Sequence, residues 1–130
     1  MSTPARTWRE IPQRYRYEGG KCTKTGKVWF PPRLVCPDEK CRDFEKTVLA
    51  DSGEVVTYTI VSVAEPRFTD QVPYAVAIVE MTDGTRITAM LADVDPAAVT
   101  IGMKVRIEFR KMYSDGDAYL HCYGYKCVPV

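Results

Sequence analysis

Five cysteines, one histidine and a group of basic residues are the side chains in this sequence with chemistry to offer. Cys22, Cys36 and Cys41 fall within twenty residues of one another, in KCTKTGKVWFPPRLVCPDEKC. Paired thiolates on tight turns are the usual way to hold a tetrahedral zinc ion, because each Cys-x-x-Cys knuckle points two sulfurs at one centre. The first knuckle here runs Cys22-Thr23-Lys24-Thr25, with threonine where the second thiolate would stand, and the second is widened to Cys36-Pro37-Asp38-Glu39-Lys40-Cys41. Three thiolates can still bind zinc, with water, Asp38 or a partner's side chain completing the set. The competing reading is a knuckle that has lost its metal and rests on Val28, Trp29, Phe30, Leu34 and Val35.

Catalysis finds little support. His121 and Cys122 are neighbours in a strand pattern, so their side chains point to opposite faces of the sheet. No carboxylate at a suggestive spacing completes a triad, and the glycines are scattered at turns rather than gathered in a phosphate loop. His121 reads as an ordinary strand residue, and Cys122 and Cys127 as small buried hydrophobes.

Other elements must position this cluster. A helix over Pro4–Glu10 and a further turn over Arg14–Tyr17 interleave Trp8, Ile11, Tyr15 and Tyr17 with four arginines. So short a piece is stable only when its apolar face packs on the chain's own barrel or on another protein. Gly19-Gly20 reads as a turn, and Val28–Phe30 as a short strand. The pattern then changes to repeated strands: Val55–Ala64, buried on both faces, then Pro73–Thr82, Thr85–Ala92, Lys104–Tyr113 and Ala118–Lys126. Asp83-Gly84 is a strong hairpin signal and Ser114–Asp117 a second one. Asp93–Thr100 predicts a helical turn. In the fourth strand Val105, Ile107 and Phe109 alternate with Arg106, Glu108 and Arg110, one face inward and one wet. Five strands with a helical insertion between the third and fourth is the order of an OB-fold. The expected fold is therefore mostly β: residues 1–18 a helical docking segment, 19–46 a zinc-ribbon-like knuckle, 47–130 a five-stranded barrel.

Hydrophobic residues make up 45% of the sequence, which fits a globular chain. The N-terminus lacks the apolar run of a signal peptide, and no stretch suits a membrane span, so the expected setting is cytoplasmic. An odd cysteine count agrees with a reducing compartment. Charge is uneven: residues 1–46 carry a net of +5 and residues 47–130 a net of −4. The basic half could face a phosphate-bearing ligand.

Tyr15-Arg16-Tyr17-Glu18-Gly19-Gly20-Lys21-Cys22, Gly26-Lys27-Val28-Trp29-Phe30-Pro31-Pro32-Arg33 and Cys36-Pro37 resemble the domain-of-unknown-function 35 proteins. Gly102–Val105 and Tyr123–Lys126 are similar to that family's closing strands. The resemblance implies a rubredoxin-like zinc ribbon followed by an OB-fold. It also implies a non-catalytic role beside thiolase-superfamily enzymes that handle acyl-CoA. One archaeal type bridges acetoacetyl-CoA thiolase and 3-hydroxy-3-methylglutaryl-CoA synthase in the mevalonate pathway and helps form a shared CoA site. On that reading Lys24, Lys27 and Arg33 are candidates to face CoA phosphates, and Cys22, Cys36 and Cys41 to hold zinc. Thr25, the widened second knuckle and Cys127 depart from the family pattern and bear on the metal rather than the fold. Nucleic-acid binding is the alternative for a ribbon joined to an OB-fold. The net negative barrel and near-zero total charge argue against it.

Overall fold

The computed structural model describes residues 4–38, 40–115 and 120–130. Two short helices, α1 (Pro4–Arg9) and α2 (Ile11–Tyr15), open the chain. Pro12 lies in the first turn of α2, where its missing N–H costs nothing. Glu10 joins the two, paired with Arg6 at 3.1 Å on one side and with Arg14 on the other. Tyr15 meets Phe109 edge-on, with ring centroids 5.1 Å apart. Trp8, expected to share a covered face, is instead 75% exposed.

A three-stranded sheet follows, ordered β2 (Val28–Trp29), β1 (Glu18–Cys22), β3 (Phe44–Val48). Gly19-Gly20, read from sequence as a turn, lies inside the central strand β1. Glycine serves close approach here: a Cβ on Gly19 would stand 2.9 Å from the Trp29 carbonyl oxygen. Strand β3 was not foreseen, since FEKTV alternates too weakly to stand out.

The second sheet has five strands, ordered β6 (Arg86–Met90), β5 (Tyr74–Met81), β4 (Ser52–Val61), β7 (Lys104–Asp115), β8 (Leu120–Pro129). It curls until its ends meet at one parallel bridge, Leu91 to Cys127, where the Ala92 N–H donates to the Cys127 carbonyl at 2.9 Å. The helical insertion between β6 and β7 shrinks to a 3-10 turn, Pro96–Ala98, capped by Asp95. The expected second hairpin turn at Ser114–Asp117 lies in part outside the described residues.

Val55, Val79, Ile87, Leu91, Val105, Ile107 and Cys127 fill the curl, and Phe30 from the ribbon joins the same core. Burying one such phenyl ring is worth about 1.5–3 kcal/mol, enough to fix the ribbon against the sheet. Phe30 and Tyr17 both pack edge-on against Tyr125.

Two expectations of burial fail. Phe109 continues the inward alternation of β7 yet is 46% exposed, with the Tyr15 and Tyr123 rings against it. Strand β4 is not buried on both faces. It pairs with β7 only at Ser52–Glu54, and Thr57–Ile60 are exposed.

The Asp83-Gly84 turn ties the hairpin to the strand linker. Asp83 accepts hydrogen bonds from the Ala50 N–H at 3.0 Å and the Thr85 N–H at 2.9 Å. Burial acts to raise its carboxyl pKa, and these N–H donors outweigh it, holding the group below the usual carboxylate range. A depressed folded pKa gives stability that is present above the unfolded value, near 4, and is lost as pH falls through the folded one. Asp83→Asn is therefore expected to cost about 1 kcal/mol at neutral pH, with the gap to the parent closing in acid, below the usual carboxylate range. Urea denaturation at neutral and at acid pH checks this.

Candidate ribbon knuckle and cationic seam

Strand β1 delivers Cys22 to a tight turn in which Gly26 takes φ 72° and its N–H donates to the Cys22 carbonyl at 2.8 Å. A positive φ at this point favours glycine. The second loop is closed by the Cys36 N–H on the Cys41 carbonyl at 2.7 Å. Cys22, Cys36 and Cys41 are all buried and form one cluster against Phe44. The structure thus brings together the three cysteines that spacing singled out.

The fourth corner differs from a thiolate. Thr25 Oγ1 lies 3.9 Å from Cys36 Sγ and accepts the Lys27 N–H at 3.3 Å. The Asp43 N–H donates to Cys41 Sγ at 3.2 Å. The Thr25 hydroxyl, with the N–H groups of Thr25 and Lys24, outweighs burial and lowers the Cys22 thiol to about 7. Asp38 turns away to pair with Lys27 Nζ at 3.7 Å. Among the described residues no three His, Cys, Asp or Glu side chains are set to hold a metal ion. Three thiols and a hydroxyl do not fit a closed four-thiolate zinc site.

Beside the knuckle, the seam between ribbon and hairpin holds a cavity of about 390 Å³, lined by Lys27, Trp29, Phe30, Arg33, Thr85 and Arg86 among others. Lys27 Nζ sits 4.6 Å and Arg33 Cζ 4.5 Å from the Trp29 ring centroid. Trp29 Nε1 and Thr85 Oγ1 are buried with no hydrogen-bond partner. The volume is within the range of small-molecule sites, and guanidinium and ammonium groups suit phosphate. Lys27 and Arg33 meet here, whereas Lys24 sits in the Cys22 turn and does not line the cavity. Arg86 and Thr85 escaped the sequence reading because only the fold carries them to the ribbon. A second cleft of about 330 Å³ lies between the helices and the sheet, where Arg6 and Arg14 are already paired with Glu10.

His121 is exposed, with Nδ1 2.9 Å from Ser114 Oγ, and Cys122 is buried on the other face. They form no nucleophile–base pair. No helix among the described residues is long and apolar enough to cross a membrane.

Fold and knuckle together define a protein built of a rubredoxin-like ribbon and an OB-fold. Residues 9–47 match the family model of the ChsH2 rubredoxin-like zinc ribbon domain, and residues 46–110 that of the ChsH2 C-terminal OB-fold domain. The chain belongs to the DUF35 family. A DUF35 domain-containing scaffold protein of Methanocaldococcus jannaschii is 44% identical over 128 residues, 96% of this chain and 89% of that one. Another, from Methanothermobacter thermautotrophicus, is 39% identical over 99% of this chain and 98% of its own. The solved Ltp2-ChsH2(DUF35) aldolase superposes with a TM-score of 0.73 at 26% identity, covering 99% of this chain and 96% of that one. Both of these archaeal relatives are named scaffold proteins.

Proposed function

We propose that the chain is a non-catalytic scaffold subunit joining two thiolase-superfamily enzymes, acetoacetyl-CoA thiolase and 3-hydroxy-3-methylglutaryl-CoA synthase. The acyl-CoA intermediate then passes between them at the head of the mevalonate pathway, in the cytoplasm. The observation that carries the reading is full-length likeness to a DUF35 chain solved with an aldolase partner. The seam supports the CoA part: Lys27 and Arg33 lie over the Trp29 ring, and Arg86 lines the same cavity, with Lys27 also paired to Asp38 and Arg86 to Glu80. Cations of this kind suit the phosphates of CoA.

The test is affinity purification from the native organism, with mass spectrometry of the co-eluting proteins. Recovery of both enzymes in fixed ratio supports the proposal. Salt-sensitive nucleic acid with no thiolase-like enzyme overturns it in favour of nucleic-acid binding.

Exposed Trp8 is the natural anchor of the docking segment. Trp8→Ala is expected to weaken capture of one enzyme by about 30-fold or more, as large aromatics dominate interfaces. Its melting temperature should match the parent's, because the ring covers little of its own chain.

A further inference from the structure

We infer that the knuckle of this chain keeps its shape through hydrogen bonds and core packing, and is not a structural zinc site. The family fold carries a zinc-ribbon architecture, and this chain departs from it at the donor set. A structural zinc ion needs four strong, deprotonated donors in a closed shell. Here the fourth corner is the neutral hydroxyl of Thr25, which contacts Cys36 Sγ at 3.9 Å and already accepts the Lys27 N–H. Thr25 is exposed to solvent, so an ion on the three sulfurs would remain open to water and exchange. Among the described residues, the loop carboxylate Asp38 pairs with Lys27 Nζ at 3.7 Å.

What a metal supplies elsewhere, other contacts supply here. Each loop is closed by its own backbone bond, Gly26 N–H to the Cys22 carbonyl and Cys36 N–H to the Cys41 carbonyl. The two loops are tied together by the Thr23 N–H and hydroxyl, both donating to the Asp43 carbonyl at 3.2 Å. The three sulfurs are packed together under Phe44. Phe30 then anchors the whole ribbon in the core of the larger sheet. Isolated zinc fingers lack any such neighbour and unfold without their ion. This ribbon has one.

The full chain, produced in zinc-supplemented medium and desalted, tests the inference by metal analysis and thermal melting with and without a chelator. The expected result is under about 0.1 zinc per chain and a melting temperature that the chelator moves by less than about 1 °C. Thr25→Cys restores the fourth thiolate. It is expected to take up about one zinc per chain, to give a tetrathiolate spectrum with cobalt, and to melt higher than its own chelated form. Parent protein that keeps about one zinc per chain, and melts roughly 10 °C lower once stripped, overturns the inference whatever the variant does.

Discussion

Gly53→Ala is expected to destabilise the five-stranded sheet by about 3 kcal/mol or more, lowering the melting temperature by roughly 10 °C. Gly53 is hydrogen-bonded into two ladders at once, opposite Met81 on β5 and Val105 on β7. A Cβ at this position would lie 2.4 Å from the Glu80 carbonyl oxygen and 2.8 Å from Met81 Cα. Both obstacles are backbone, so neither can rotate aside, and relief requires parting β4 from β5. Gly124→Ala is the matched control. Its new methyl would meet the Met112 side chain at 3.1 Å, which is flexible, and a change within about 1 kcal/mol is expected. Chemical denaturation of the two variants side by side separates the cases, and equal stability of both would sink the argument.

The second large effect concerns the seam. In the assembled enzyme complex, the double change Lys27→Ala with Arg33→Ala is expected to weaken acyl-CoA binding by about 10- to 100-fold, one to two charge-assisted contacts. Lys24→Ala should leave it unchanged, since Lys24 does not line the cavity. All three residues are exposed, so their removal should barely move the melting temperature. Binding titrations at two salt concentrations check the mechanism: the parent's affinity should fall with salt more steeply than the double variant's. Equal losses from Lys24→Ala and from the double change would refute the site while leaving the scaffold role standing.

The larger sheet was legible because its strands alternate and its turns are explicit. Asp83-Gly84 marks a hairpin, and Val105 and Ile107 mark an inward face, all by local pattern. The cysteine cluster was legible for the same reason, since Cys22, Cys36 and Cys41 lie close along the chain. What escaped was set by contacts remote in sequence. Gly19-Gly20 carries no side chain to reveal a strand, and its reason is the Trp29 backbone across the ladder. Phe109 looks buried by alternation, and the neighbours that leave it half open come from remote parts of the chain, Tyr15 in α2 and Tyr123 in β8. Arg86 belongs to the seam through a hairpin that folds back some forty residues after the ribbon. Trp8 could not be placed by pattern, because an amphipathic stripe does not say whose surface covers it.

Strand β4 has one more consequence. From Val55 to Ala64 the sequence reads VVTYTIVSVA, with no charge and no proline, and past Glu54 its outer edge has no ladder to β7. Tyr58 and Ile60 are exposed along it. An uncharged, β-branched edge is the template from which fibrils and sheet-to-sheet stacks grow. Prepared on its own at high concentration, the chain is expected to self-associate through this strand. A lysine at Thr59 would act as a gatekeeper there, keeping concentrated protein in solution without touching either the knuckle or the seam.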